Sequence, residues 1–315
     1  MKKFSDVKIL LYGTGAVGSL YGGKLSQAGA SISAVCRSDY DEVSAGGIYI
    51  KSIYGDYHFI PESVVRSGKE YKFRPDFVIV ATKALPEINI SEMIRDSVHP
   101  GTAIVLLQNG IDIEPVVADN FKDNEIISGL AFVCATRTGY GKIDHSDFGR
   151  IVLGTYPSGI SDKVKLLVGM FRSAGVPADT DEDVIAARWK KLLWNAPFNP
   201  LSVLCGGADT SEMMRDEKVR KLAESIMREV TQVAAAHGHP LDEALIRKNI
   251  KDTAKMKPYK TSMLLDYESR RPMEIEVILG NAVRIAEAKY VPVPHLQTIY
   301  ALLGIINNKN LDNVL

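Results

Sequence analysis

Val7-Lys8-Ile9-Leu10-Leu11-Tyr12-Gly13-Thr14-Gly15-Ala16-Val17-Gly18 is the stretch on which the fold turns. The apolar run from Val7 to Tyr12 has the length of a buried strand. Directly behind it stands G-x-G-x-x-G, and Ser19 to Ala28 then has helical character, ended by Gly29. Ala30 to Cys36 supplies a second strand, so the glycines lie between strand and helix inside a βαβ-length unit, the context that gives such a motif meaning. Each glycine has a task. Gly13 permits the tight turn, Gly15 lets a pyrophosphate approach the backbone, and Gly18 allows close helix–strand packing. The helix N-terminus, opened by Thr14, Ala16 and Val17, then faces the phosphates. A Rossmann-type dinucleotide-binding sheet is predicted.

The tip of the second strand bears on which dinucleotide. An acid there would accept hydrogen bonds from a ribose 2′-hydroxyl and favour NAD. The chain instead reads Cys36-Arg37-Ser38, where Arg37 can pair with a 2′-phosphate and Ser38 can add a hydrogen bond. NADP is the expected cofactor, with Asp39 and Asp41 close enough behind to keep NAD open.

Further strands are predicted at Gly47 to Lys51, Phe77 to Ala81 and Ala103 to Leu107. The last two run into Thr82-Lys83 and Gln108-Asn109-Gly110. Ligands of open parallel sheets bind beyond the carboxyl ends of the strands, so Lys83 and Asn109 fall where cofactor and substrate should meet. Alternation from Glu125 to Gly154, broken at Thr138-Gly139-Tyr140-Gly141, predicts an antiparallel extension. Val164 to Ala174 reads as a helix closed by Gly175, and a short strand near Val176 to Ala178 would complete the domain.

Past Asp179 helical periodicity takes over, which places a boundary between residues 1–179 and 180–315. Helices are predicted over Glu217 to His237, Leu241 to Ile250, Met273 to Lys289 and Pro294 to Asn307. Another should start at Thr180-Asp181-Glu182-Asp183, with Thr180 as cap and Asp183 reaching back. On that helix Lys191, Asn195 and Asn199 stand at i, i+4 and i+8, so one ammonium and two amides share a face. Such a face can grip a small oxygen-rich molecule; the plain alternative is a solvated stripe. Pro197 should kink the helix and turn Asn199 from its ideal position. By local sequence, Ser262 reads as a helix cap and Glu274 as compensation for a helix dipole. His237, His239 and His295 lie at helix ends and read as terminus residues.

Composition narrows the classes. The 38 basic and 38 acidic residues cancel, which gives no reason to expect nucleic acid or an acidic membrane as partner. The three cysteines, Cys36, Cys134 and Cys205, are scattered without metal-ligand spacing and read as reduced. The apolar run after Met1-Lys2-Lys3-Phe4 is too short for a signal peptide, and no stretch approaches the ~18 apolar residues of a membrane span. A cytoplasmic protein with no metal and a small-molecule substrate is expected; a homodimer is compatible with this reading.

Taken together, the motifs resemble the ketopantoate reductase (2-dehydropantoate 2-reductase) family over essentially the whole chain. The resemblance rests on the glycine turn, Arg37, Lys83, Gln108-Asn109-Gly110, the Trp189 to Leu201 helix, Ser262-Met263-Leu264-x-Asp266 and Glu274-Ile275. It implies a helical second domain of the 6-phosphogluconate dehydrogenase type and NADPH-dependent reduction of ketopantoate to (R)-pantoate, on the route to pantothenate and coenzyme A. It also implies roles. Lys191 would be the general acid and Glu274 its partner. Asn109, Asn195, Asn199 and Ser262 would bind substrate, and Lys83 would lie near the nicotinamide. Two other readings stand beside it: a reductase of another branched 2-oxo acid, and an NADP-binding sensor without turnover, for which the chain carries no added partner-binding segment.

Overall fold

The computed structural model describes residues 2–312. The chain forms two compact units. One comprises residues 1–83, 87–108 and 113–184; the other comprises residues 84–86, 109–112 and 185–315.

The first unit is built on β1 (Lys8–Tyr12), α1 (Ala16–Gln27), β2 (Ser31–Val35), α2 (Tyr40–Gly46), β3 (Ile48–Ser52), β4 (Tyr57–Phe59) and β5 (Ser63–Val65). It continues through β6 (Phe77–Val80), α3 (Ile90–Ile94), β7 (Ala103–Leu106), α4 (Glu114–Asn120), β8 (Ile126–Gly139), β9 (Lys142–Thr155), α5 (Asp162–Ser173) and β10 (Ala178–Thr180). A single sheet runs in the order β4-β3-β9-β8-β7-β6-β1-β2-β5, with β10 beside β9. From β5 to β8 all neighbours are parallel, while β8 and β9 form the antiparallel hairpin expected from the alternation. The short last strand lies two residues later than predicted.

Strand order reverses at β1, which has β2 on one side and β6 on the other. That reversal opens the crevice where open α/β sheets bind ligands, and the glycine turn leaves β1 there. The sheet also curls around α1. A Cβ on Gly22 would meet Leu11 of β1 at 2.8 Å and Phe59 of β4 at 3.4 Å, so strands far apart in the sheet pack on one helix. The hydroxyl of Tyr57 donates to the Leu20 carbonyl at 3.0 Å and fixes that approach.

His145 on β9 pins this curl. It is 1 % exposed; its Nδ1 pairs with the Ser52 hydroxyl at 2.9 Å, and Nε2 lies 3.1 Å from the carbonyls of Asp147 and Phe148. Burial, the main cause, lowers its pKa. The unfolded chain therefore takes the proton first as pH falls, so this contribution is full above the ordinary imidazole range, roughly 6.5, and is lost below it. Urea midpoints at pH 7.5 and 5.5 should show the loss, and His145→Gln should reduce it.

The second unit is helical: α6 (Val184–Leu204), α7 (Thr210–Arg215), α8 (Glu217–Ala236), α9 (Ala244–Thr253), α10 (Ser262–Glu268), a π-helical turn (Glu276–Gly280), α11 (Asn281–Ala288) and α12 (Pro294–Asp312). In α8, Ala223, Ile226, Met227, Val230, Val233 and Ala234 recur at helical spacing and are buried. Asp216 caps this helix through the N–H groups of Lys218 and Val219. Glu229 on α8 accepts from the N–H groups of His295 and Leu296 at 2.9 and 2.8 Å, so it caps α12 and holds His295 at a helix start. No helix among the described residues is long and apolar enough to cross a membrane.

Two local expectations, the cap at Thr180 and the helix start at Met273, need correction. Thr180 ends β10, and α6 starts at Val184; there the Asp181 carboxylate takes the Asp183 N–H at 3.0 Å in place of a capping box at Thr180. The helix continues through Pro197 and Pro200 to Leu204. Trp189, Leu192, Leu193, Ala196, Phe198 and Leu201 are all buried along it, and that packing outweighs the lost backbone bonds. The helix predicted from Met273 begins at Ile275 with the π turn.

Candidate active site

The glycine turn has the shape its residues require. Gly13 takes φ +97°, and a Cβ there would lie 2.8 Å from the Thr82 nitrogen, so the turn presses on the end of β6. A Cβ on Gly18 would come within 2.0 Å of the Gly13 carbonyl oxygen. Gly15 differs: its Cβ would meet nothing within 4 Å. The open space lies beside the one glycine needed for close approach of a phosphate. Within α1 the first helical bond runs from Ser19 to Gly15, so the N–H groups of Ala16, Val17 and Gly18 have no acceptor inside the helix. Together they make a cradle that fits a pyrophosphate. Thr14 is buried, and its hydroxyl donates to Asp39 at 2.7 Å.

That bond bears on the tip of β2. Asp39 is 3 % exposed and occupied by Thr14; the Asp41 carboxylate pairs with Arg66 at 3.0 Å. Arg66 also lies over the Tyr40 ring, 3.8 Å from its centroid. Both acids that kept NAD open are therefore engaged, while Arg37 and Ser38 are exposed.

In the helical unit, α6 carries the polar face. Lys191 donates from Nζ to Asn109 Oδ1 at 2.9 Å, and Asn109 donates from Nδ2 to Glu274 Oε2 at 3.1 Å. The other oxygen of Glu274 accepts the Ala84 N–H at 3.0 Å. An ammonium only donates and a carboxylate only accepts, so the amide between them can take one orientation. Glu274 is 9 % exposed and Lys191 half-buried. Burial above all, reinforced by the charge of Arg188 and opposed by Glu274, pushes the Lys191 amine down to about 7. A lysine so placed can change protonation near neutral pH.

Asn195 and Asn199 follow along α6, 7 % and 2 % exposed. Ser202, one turn beyond Asn199, shares a 2.7 Å hydrogen bond with Thr261, which accepts the Leu264 N–H as the N-cap of α10. The cap is therefore Thr261, and Ser262 is the exposed first residue of the helix that this bond ties to α6. Lys83 and Gln108 belong to the first unit; Gln108 Nε2 donates to the Thr82 carbonyl at 2.9 Å, joining the ends of β6 and β7, and Lys83 is half-buried.

Two residues were given no role of their own in the sequence reading. Gly110 takes φ +91°, and a Cβ there would lie 2.4 Å from the Val277 Cβ. The Val277 carbonyl, inside the π turn, accepts the Ile111 N–H at 3.1 Å. Gly110→Ala combines backbone strain with a clash, and a cost of roughly 2 kcal/mol or more is expected. Calorimetry should show a lowered Tm and kinetics a lowered kcat, since Asn109 moves with the turn. The second contributor is Arg188, 3 % exposed, whose Nη1 donates to the Gly110 carbonyl at 3.0 Å. Its spacing of three from Lys191 was the available signal.

Comparison with known proteins shows the family. A family model described as "Ketopantoate reductase PanE/ApbA" matches residues 9–158, and its C-terminal counterpart matches residues 183–307. A relative from Nostoc sp., named 2-dehydropantoate 2-reductase, is 35 % identical over 97 % of this chain and 97 % of its own. The crystal structure of 2-dehydropantoate 2-reductase from Methylococcus capsulatus superposes with a TM-score of 0.91 at 48 % identity, covering 96 % of this chain and 98 % of that one. The enzyme of the same name from Geobacter metallireducens gives a TM-score of 0.88 at 31 % identity, covering 98 % and 100 %.

Proposed function

The chain belongs to the ketopantoate reductase family, and from that premise we propose that this oxidoreductase reduces 2-dehydropantoate to (R)-pantoate with NADPH. In this reading residues 1–179 hold the dinucleotide and 180–315, together with Asn109, carry substrate and the acid. The observation that carries it is the Lys191–Asn109–Glu274 chain, with the buried Asn195 and Asn199 on the same helix as Lys191.

The cradle of Gly13 to Gly18 takes the pyrophosphate, Arg37 the 2′-phosphate, and Lys83 the region near the nicotinamide. When bound, a reduced nicotinamide would supply the hydride for the C2 carbonyl of the substrate. Charge then builds on the carbonyl oxygen, which the Lys191 ammonium stabilises and protonates. Asn109 holds that ammonium in place, and Glu274 fixes Asn109. Asn195, Asn199 and the Ser262 hydroxyl offer donors to the carboxylate and hydroxyl of the substrate without trapping it as another fixed cation would.

The test is NADPH oxidation followed by absorbance with ketopantoate, against NADH and a panel of other 2-oxo acids. Rapid turnover of ketopantoate with NADPH is expected. Negligible turnover of ketopantoate beside a fast branched 2-oxo acid would move the substrate assignment. Tight NADPH binding with no turnover of any acid would leave a cofactor-binding sensor.

A further inference from the structure

We propose that Arg188 is a positioning residue for this reaction: its guanidinium fixes the turn that carries Asn109 and holds a second positive charge one helical turn from Lys191. The proposal rests on the reading of Lys191 as proton donor, and its test observes the Lys191 amine directly so that the two can fail separately.

The geometry comes first. Residues 109–112 are held at three points: Arg188 Nη1 on the Gly110 carbonyl at 3.0 Å, the Val277 carbonyl on the Ile111 N–H at 3.1 Å, and Asn281 Nδ2 on the Ile111 carbonyl at 2.7 Å. Gly110 offers no side chain, so its backbone is the only handle by which that peptide can be oriented. The residue just before it is Asn109, whose amide must meet Lys191 and Glu274 at once, at 2.9 and 3.1 Å. Losing the Arg188 contact frees the peptide next to the amide that bridges acid and carboxylate.

Charge comes second. Arg188 is 3 % exposed, and a guanidinium keeps its charge even when buried. Arg188, from its own helix, and Glu274, from the stretch before the π turn, both act on the Lys191 amine, while Asn109 from the turn is neutral. The two charges oppose each other. Burial already loosens the amine's hold on its proton, and Arg188 loosens it further against the pull of Glu274.

Two variants separate tether from charge. Arg188→Gln keeps an N–H donor and removes the charge; Arg188→Lys keeps the charge and loses the planar guanidinium. The amine is followed by NMR titration of 13Cε-lysine-labelled enzyme, with Lys191→Ala identifying the signal, alongside kcat/KM for ketopantoate against pH. In Arg188→Gln the Lys191 midpoint should rise by roughly one pH unit, the scale of a neighbouring like charge. In Arg188→Lys it should stay near the wild-type value while kcat falls several-fold. An unchanged midpoint in Arg188→Gln, or an equal rise in both variants, overturns the proposal. Should Arg188→Gln not fold, Arg188→Lys alone decides: a raised midpoint, or wild-type kcat, is the contrary result. Full turnover in Lys191→Ala would sink the proton-donor reading while the titration still decides the role of Arg188.

Discussion

Lys191→Ala should lower kcat for ketopantoate reduction by roughly 10²-fold or more, the usual scale for loss of a general acid, with NADPH affinity almost unchanged. The reasoning is local. Lys191 lies in the helical unit, and its charge is held by the 2.9 Å bond to Asn109 and thence by Glu274. Removing it takes away the proton and the positive charge that opposes the developing alkoxide, both needed only in the transition state. It also leaves Glu274 buried with a partner fewer around it, so Tm should be measured beside kcat to separate a folding loss from a chemical one. A kcat near wild type would take Lys191 out of this role.

Arg37→Ala should weaken NADPH by roughly ten- to a hundredfold while NADH changes little. A hydrogen bond to a charged group contributes about 1.5–3 kcal/mol, and about 1.4 kcal/mol is tenfold in affinity. The discrimination follows from what surrounds the arginine. Arg37 is exposed at the tip of β2; the nearest acids are committed elsewhere, Asp39 to the Thr14 hydroxyl and Asp41 to Arg66. Fluorescence titration of both dinucleotides is the measurement. Equal losses for NADPH and NADH would mean that Arg37 does not read the 2′-phosphate.

Much of the fold was legible because it is written in local pattern. The strand–GxGxxG–helix unit, the hairpin around Gly139-Tyr140-Gly141 and the amphipathic α8 each bury a face that period alone reveals. The sheet order was not legible. β3 and β4 follow β2 in the chain yet lie at the far edge, because Phe59 packs on Gly22 of α1, a contact no local window contains. The π turn at Glu276–Gly280 is likewise tied to a distant partner, the Ile111 N–H on the Val277 carbonyl. The helix α6 runs on past Pro197 to Leu204 with its side chains buried, a support that the local rule for proline does not include.

For the candidate site, the i, i+4, i+8 spacing identified the polar face of α6, and its lysine and two asparagines do lie along that helix. What spacing could not give was the bridge. Asn109 and Glu274 are 165 positions apart in the chain, and their meeting depends on a glycine with positive φ and on Arg188. Ser262 was read as a cap because serine favours that position, whereas the adjacent Thr261 takes it through its bond to Ser202.

The central claim is that the Lys191 ammonium, held through Asn109, supplies the proton. It is tested most directly by kcat/KM for ketopantoate and NADPH from pH 5.5 to 9.5. With the free amine pushed down to about 7, the acid is charged below that pH and lost above it. Reduction should therefore fall tenfold per unit on the alkaline side of a midpoint near 7, and that limb should vanish in Lys191→Ala. A wild-type rate that stays flat to pH 9, or an alkaline limb that survives in Lys191→Ala, would contradict the account.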